Sequence, residues 1–178
     1  MQVFLNRLIT VFFVVFFFTT TCMDGAFRGT GEAEVHGILA ATNNYVNLHH
    51  NRRYLGGALY HGPTVEDVRE ADIEFTRDAG FFVVEVKSSQ VGIGALGMTV
   101  GRYVTEQLPK QVIAYPVGTT IKVVLDIRVL NLTPAQCLTL EGMVTAGGTI
   151  IPANVGFLRA PPGGVLQLTD RANAPWMP

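Results

Sequence analysis

The sequence predicts an α+β fold: a mostly antiparallel sheet with one principal helix packed on it and a long central strand at about 119–132. Three observations lead there. Over Thr119–Leu132, Ile121, Val123, Leu125, Ile127 and Val129 alternate with Lys122, Asp126 and Arg128, the period-two pattern of a strand with one face in a core. Over Ala71–Lys87 two alternating runs flank Asp78-Ala79-Gly80, a turn signal. Between Ser88 and Leu108, apolar residues recur every four positions at Leu96, Val100, Val104 and Leu108, a helical face.

The remaining segments follow in chain order. Arg7 and the apolar run Leu8–Phe18, followed by three threonines, give residues 1–22 the make-up of a signal peptide or membrane anchor. The run is short for a transmembrane helix, which needs about 20 residues. Cys22, placed just after it, resembles the acceptor cysteine of a bacterial lipoprotein signal and is the candidate lipid anchor. A lipid-anchored form, a cleaved free form and an uncleaved anchor all remain open. Cys137 is the other cysteine. It reads as a small buried apolar residue, with a disulfide to Cys22 as the alternative.

Residues 23–178 form a single α+β domain of ordinary size. Residues 23–63 read as an irregular lead-in, within which Glu32–Ala40 suits a short strand or the start of a helix. His49, His50 and His61 lack metal-ligand spacing. Arg52, Arg53 and Tyr54 suit a subunit contact. Thr64-Val65-Glu66-Asp67 approximates the cap of a short helical turn.

In the hairpin, a loop at Asp78-Ala79 sets Phe75 opposite Phe82, Ile73 opposite Val84 and Ala71 opposite Val86, all on one face. Glu66, Asp67, Glu70, Asp72 and Glu74 then read as a solvated face. The following helix starts at Ser88 or Ser89 and is stopped by Pro109. Gly94, Gly97 and Gly101 form a candidate close-packing stripe along it.

Gly92-x-Gly94-x-x-Gly97 matches the dinucleotide-binding spacing. Four residues separate the strand from its first glycine, and the next candidate strand, Gln111–Tyr115, ends without a ribose-binding acid. Close packing is the better account, and no cofactor is expected. Residues 133–178 read as a β-like tail, with Cys137–Val144 as strand in preference to a short helix and Trp176 docked in a groove of its own domain or anchoring a partner or the membrane interface.

A formal net charge of −1 gives no basic footprint for nucleic acid. No catalytic or metal-binding set converges. The expectation is a non-enzymatic, exported, membrane-associated structural or assembly subunit of a cell-envelope or surface complex. Its partners would be a homo- or hetero-oligomer and, through the N-terminus, a membrane. Its candidate contact residues are Arg52, Arg53, Tyr54, Val124, Leu130 and Trp176. The alternative is a periplasmic or extracellular binding module for a small apolar ligand or lipid.

Overall fold

The structure, a computed structural model, describes residues 29–42 and 45–178. The leader 1–22 and Cys22 lie outside the described residues. Among those described, the chain runs α1 (Thr30–Ala41), β1 (Val46–Leu55), β2 (Ala58–Leu59), β3 (Arg69–Arg77) and β4 (Gly80–Ser88). Next come α2 (Ile93–Arg102), a π-helical turn (Tyr103–Gln107) and α3 (Leu108–Ala114). The chain closes with β5 (Thr120–Asp126), α4 (Pro134–Thr145), β6 (Val155–Arg159) and β7 (Gln167–Thr169).

The fold is α+β, built on a mixed sheet in the order β2-β1-β3-β4-β5-β6-β7. It is not purely antiparallel, because β4–β5 and β5–β6 pair in parallel. Helical segments link those strands, and a helical crossover returns the chain to the same end of the sheet. Helices cover both faces, where the sequence predicts a single principal helix. Leu96 and Val100 of α2, Leu108 of α3 and Leu140 and Val144 of α4 pack on Val123, Leu125 and Phe157. On the opposite face, Val35 and Leu39 of α1 pack with Ile73, Phe75, Val84, Val124 and Leu158.

The alternation over 121–127 holds in space. Ile121, Val123, Leu125 and Ile127 all enter the first core, and Val124 enters the second. The strand itself is shorter than expected and ends at Asp126. There the Asp126 carboxylate accepts from the Arg128 backbone N–H at 3.2 Å. That is the local side-chain turn with which Asp ends regular structure. Strand β5 has neighbours on both sides, so it offers no edge to another subunit.

The hairpin forms with the expected loop. Phe75 pairs with Phe82 and Ile73 with Val84, and Asp78 and Ala79 both take positive φ, 49° and 62°, as a two-residue type I′ turn requires. The shared face stops short of Ala71, which packs in the first core while Val86 packs against the second. The reason lies at Asp72, whose Oδ2 accepts from the Val86 N–H at 2.7 Å. Across from it, Asn51 takes φ 53°. The expected helical turn at 64–67 is a single turn, closed by Val68 N–H to the Val65 carbonyl at 3.1 Å.

Three further segments differ from expectation. Within the stretch read as irregular, the helical alternative for Glu32–Ala40 is the one that forms, with Gly31, Val35 and Leu39 recurring every four residues as the buried face of α1, and the strand β1 follows where none was expected. Pro109 does not end the helical run. The π-helical turn lies just before it, with Leu108 N–H reaching the Tyr103 carbonyl, so residues 111–114 continue as helix, not strand. A widened turn accommodates the missing proline donor. Cys137–Val144 is helix α4, with Thr133 and Gln136 forming a reciprocal capping box and Pro134 in the first turn.

Candidate functional site

The carboxyl ends of the parallel strands β5 and β6 border an open cleft of about 490 Å³. It exists because the two strands lead in different directions. From β5 the chain passes through Leu130 and Leu132, which pack against the first core, into α4. From β6 it folds back to β7 through Pro161-Pro162-Gly163-Gly164, where the Gly164 N–H donates to the Pro161 carbonyl at 3.0 Å. Pro at the second position and Gly163 at φ 65° make this a stiff type II turn. Ligand crevices in such sheets open beyond the carboxyl ends of the strands.

Two arginines line the cleft, Arg128 and Arg159, with Asn131, Thr133, Gln167, Thr169 and Asn173 among the polar groups. Arg128 is held by its neighbours. Its Nε donates to Asp126 Oδ1 at 2.8 Å and its Nη2 to Asp126 Oδ2 at 2.6 Å. It also pairs with Glu34 of α1. Burial pushes the Asp126 carboxyl above its usual range, against a smaller opposing effect of the Arg128 backbone bond.

Arg159 is held differently. Its Nε donates to Thr169 Oγ1 at 2.9 Å, its Nη2 lies 3.2 Å from Cys137 Sγ, and its guanidinium sits 5.5 Å from the Phe157 ring centre. It has no carboxylate partner among the described residues.

A second polar cluster lies within the sheet under α2. Tyr115 Oη is 2.9 Å from Glu85 Oε1, and Lys87 Nζ is 2.9 Å from Glu85 Oε2 and 3.8 Å from Asp72 Oδ2. Lys87 Nζ also lies 4.7 Å from the Tyr103 ring centre. Burial, then the nearby Glu85 charge, pushes the Asp72 carboxyl up to about 8. Beside it, Glu74 is buried and accepts from Tyr54 Oη and, at 3.3 Å, from Arg52. Of the five acids read as a solvated face from alternation, Glu66 and Asp67 are exposed, Glu70 and Asp72 are half-buried, and Glu74 alone is buried.

The chain matches no protein-family model, no curated protein and no solved structure.

The residues singled out from the sequence do not form one outward surface. Val124 is fully buried beneath α1. Tyr54 is in the first core. Trp176 is 6% exposed, lies against Gly156 and donates from Nε1 to the Ala153 carbonyl at 3.0 Å. Arg53 Nη1 reaches Thr64 Oγ1 at 3.3 Å. Leu130 alone of the set lines the cleft.

The glycine stripe is not a close-packing seam. A Cβ on Gly94 or Gly101 would meet nothing within 4 Å, and one on Gly97 would make ordinary contact with Met143 of α4. Gly92 is the N-cap of α2, with φ 140°. Cys137 is a buried thiol with no disulfide partner among the described residues.

Arg159, Thr169 and Asn173 were not singled out from the sequence. The available signal was a lone charge closing the apolar run Val155-Gly156-Phe157-Leu158, where a buried strand meets an edge.

Proposed function

We propose that the described residues act as a non-enzymatic small-molecule-binding module of an exported, membrane-tethered protein. The observation that supports it is the cleft beyond β5 and β6. It is of the size typical of ligand sites, stiffened by a Pro-Pro turn, and lined by hydrogen-bonding side chains with no carboxylate or histidine among them. A binding surface without an acid or base at hand suits capture better than turnover. The interfaces between helices and sheet are filled by the two cores, so the ligand expected there from the sequence is moved to the carboxyl end of the sheet and given a more polar character.

Native mass spectrometry of the full chain, purified without denaturant, tests this reading. A one-to-one small-molecule adduct, or a melting temperature raised by members of a metabolite library, is expected. No adduct and no stabiliser would sink it. The mass of the mature N-terminus tests the tether, since a lipidated Cys22, a cleaved form and an intact Met1 have different masses.

A second reading, a structural or assembly subunit of an envelope or surface complex, draws on the opposite end of the sheet. There Val112 and Val117 line a groove of about 400 Å³ at the amino end of β5, and Ile113 is 77% exposed nearby. Clustered exposed aliphatic groups are a mark of contact surfaces. Light scattering of the full chain should then show an oligomer that Val117→Glu dissociates; a monomer at high concentration removes this reading.

A further inference from the structure

We propose that the cleft beyond β5 and β6 takes the carboxylate of a small organic acid, with the Arg159 guanidinium as its counter-charge. This rests on the binding-module reading and deepens it.

Charge is the first argument. Of the two arginines at the cleft, Arg128 is neutralised by Asp126 and Glu34. Among the described residues, Arg159 meets a hydroxyl, a thiol and a ring and no carboxylate. A guanidinium carries more N–H donors than those contacts use, and a partly buried charge without a counter-ion is unfavourable. One uncompensated positive charge selects a monoanion over a phosphate dianion.

Geometry is the second. The planar fork of a guanidinium matches a carboxylate in a bidentate pair. Thr169 Oγ1 and the Phe157 ring hold that fork in place before any ligand arrives, which reduces the ordering needed on binding. The start of α4 adds little here. Thr133 and Gln136 cap one another, the Gln136 N–H donating to Thr133 Oγ1 at 3.3 Å and the Thr133 N–H to Gln136 Oε1 at 2.8 Å. The rest of the ligand would meet Leu130 and Pro161 on apolar walls and Asn131 and Gln167 on polar ones. An acid with a short, mixed polar and apolar body fits that lining.

The test titrates the ¹⁵N-labelled full chain with benzoate, with benzamide as its neutral counterpart, and with inorganic phosphate. The readout is the Arg159 Nε–Hε signal and the Thr169 amide. Benzoate should shift both saturably, with affinity at least about ten-fold above benzamide and phosphate. Arg159→Gln should abolish the effect and Arg159→Lys weaken it. Arg102→Gln, an exposed arginine of α2, should leave it unchanged.

Equal binding of benzamide, tighter binding of phosphate, or full benzoate affinity in a well-dispersed Arg159→Gln spectrum would each overturn the proposal. If Arg159→Gln does not fold, the benzoate–benzamide comparison in the unaltered chain decides. Failure of all three probes removes the carboxylate assignment alone, because the native-mass experiment judges the wider reading separately.

Discussion

The hydroxyl of Tyr115 sits 2.9 Å from Glu85 Oε1, tying the turn before β5 to the middle of β4. The same oxygen is 3.0 Å from the Glu70 carbonyl on β3. The hydroxyl of Tyr103, also buried, has no hydrogen-bond partner among the described residues. Two tyrosines facing one polar cluster therefore have opposite standing. Tyr115→Phe leaves a buried carboxylate short of a donor and should lower unfolding free energy by about 1–3 kcal/mol. Tyr103→Phe removes an unsatisfied polar atom and should change it by less than about 0.5 kcal/mol, or raise it. Urea unfolding of both variants compares them directly. Equal losses would contradict this assignment.

The cluster also sets a pH dependence. Burial, then Glu85, raises the Asp72 carboxyl from its ordinary value to about 8, with Lys87 and the Val86 N–H opposing and Glu32 adding a little. The folded chain thus holds a proton that the unfolded chain releases near pH 4. A group raised in this way contributes stability that is fully present below its unfolded pKa. That contribution is lost as pH climbs through the folded value. Unfolding free energy should fall between about pH 4 and pH 8, with proton uptake on folding. Asp126, raised by burial, acts in the same direction. Asp72→Asn should flatten the profile; an unchanged slope in that variant would refute the role given to Asp72.

The indole of Trp176 occupies the space where Gly156 would carry a Cβ. Gly156 is fixed in β6 opposite Val124, so an added methyl must displace the indole from the second core. Gly156→Ala should lower stability by about 1–3 kcal/mol through overpacking. Tryptophan emission should shift to the red. A variant with native emission and stability would show that the C-terminal segment accommodates the methyl.

At the hairpin, Ala79 has φ 62°, a conformation unfavourable for a residue with a Cβ. Ala79→Gly converts the turn to Asp-Gly, the preferred type I′ pair. The variant should gain about 0.5–1 kcal/mol, read as a higher urea midpoint with unchanged slope. A loss would show that the unfolded-state entropy of glycine outweighs the relief.

Local periodicity by itself determined which residues of β5 face the first core, because Ile121 to Ile127 alternate without a break; that Val124 faces a second core, and not a subunit contact, was not read from it. It also determined the Phe75–Phe82 and Ile73–Val84 register, because Asp78-Ala79 admits one two-residue loop. The capping box at Thr133 and Gln136, with Pro134 between them, did not enter the reading of the sequence, and the short apolar run after it suited a strand as well as a helix.

Tertiary structure decided that run and more. The π-helical turn carried helix past Pro109. Helix α1 covered a face that its mixture of Val124, Lys122 and Asp126 left ambiguous. The cleft depends on residues far apart in the chain, Arg128, Arg159 and Thr169, brought together where β5 and β6 diverge. Asp72 is internal because its carboxylate takes a backbone N–H of β4 and lies beside Glu85. No period in the sequence encodes that, since alternation reports which face a residue occupies and not what covers it.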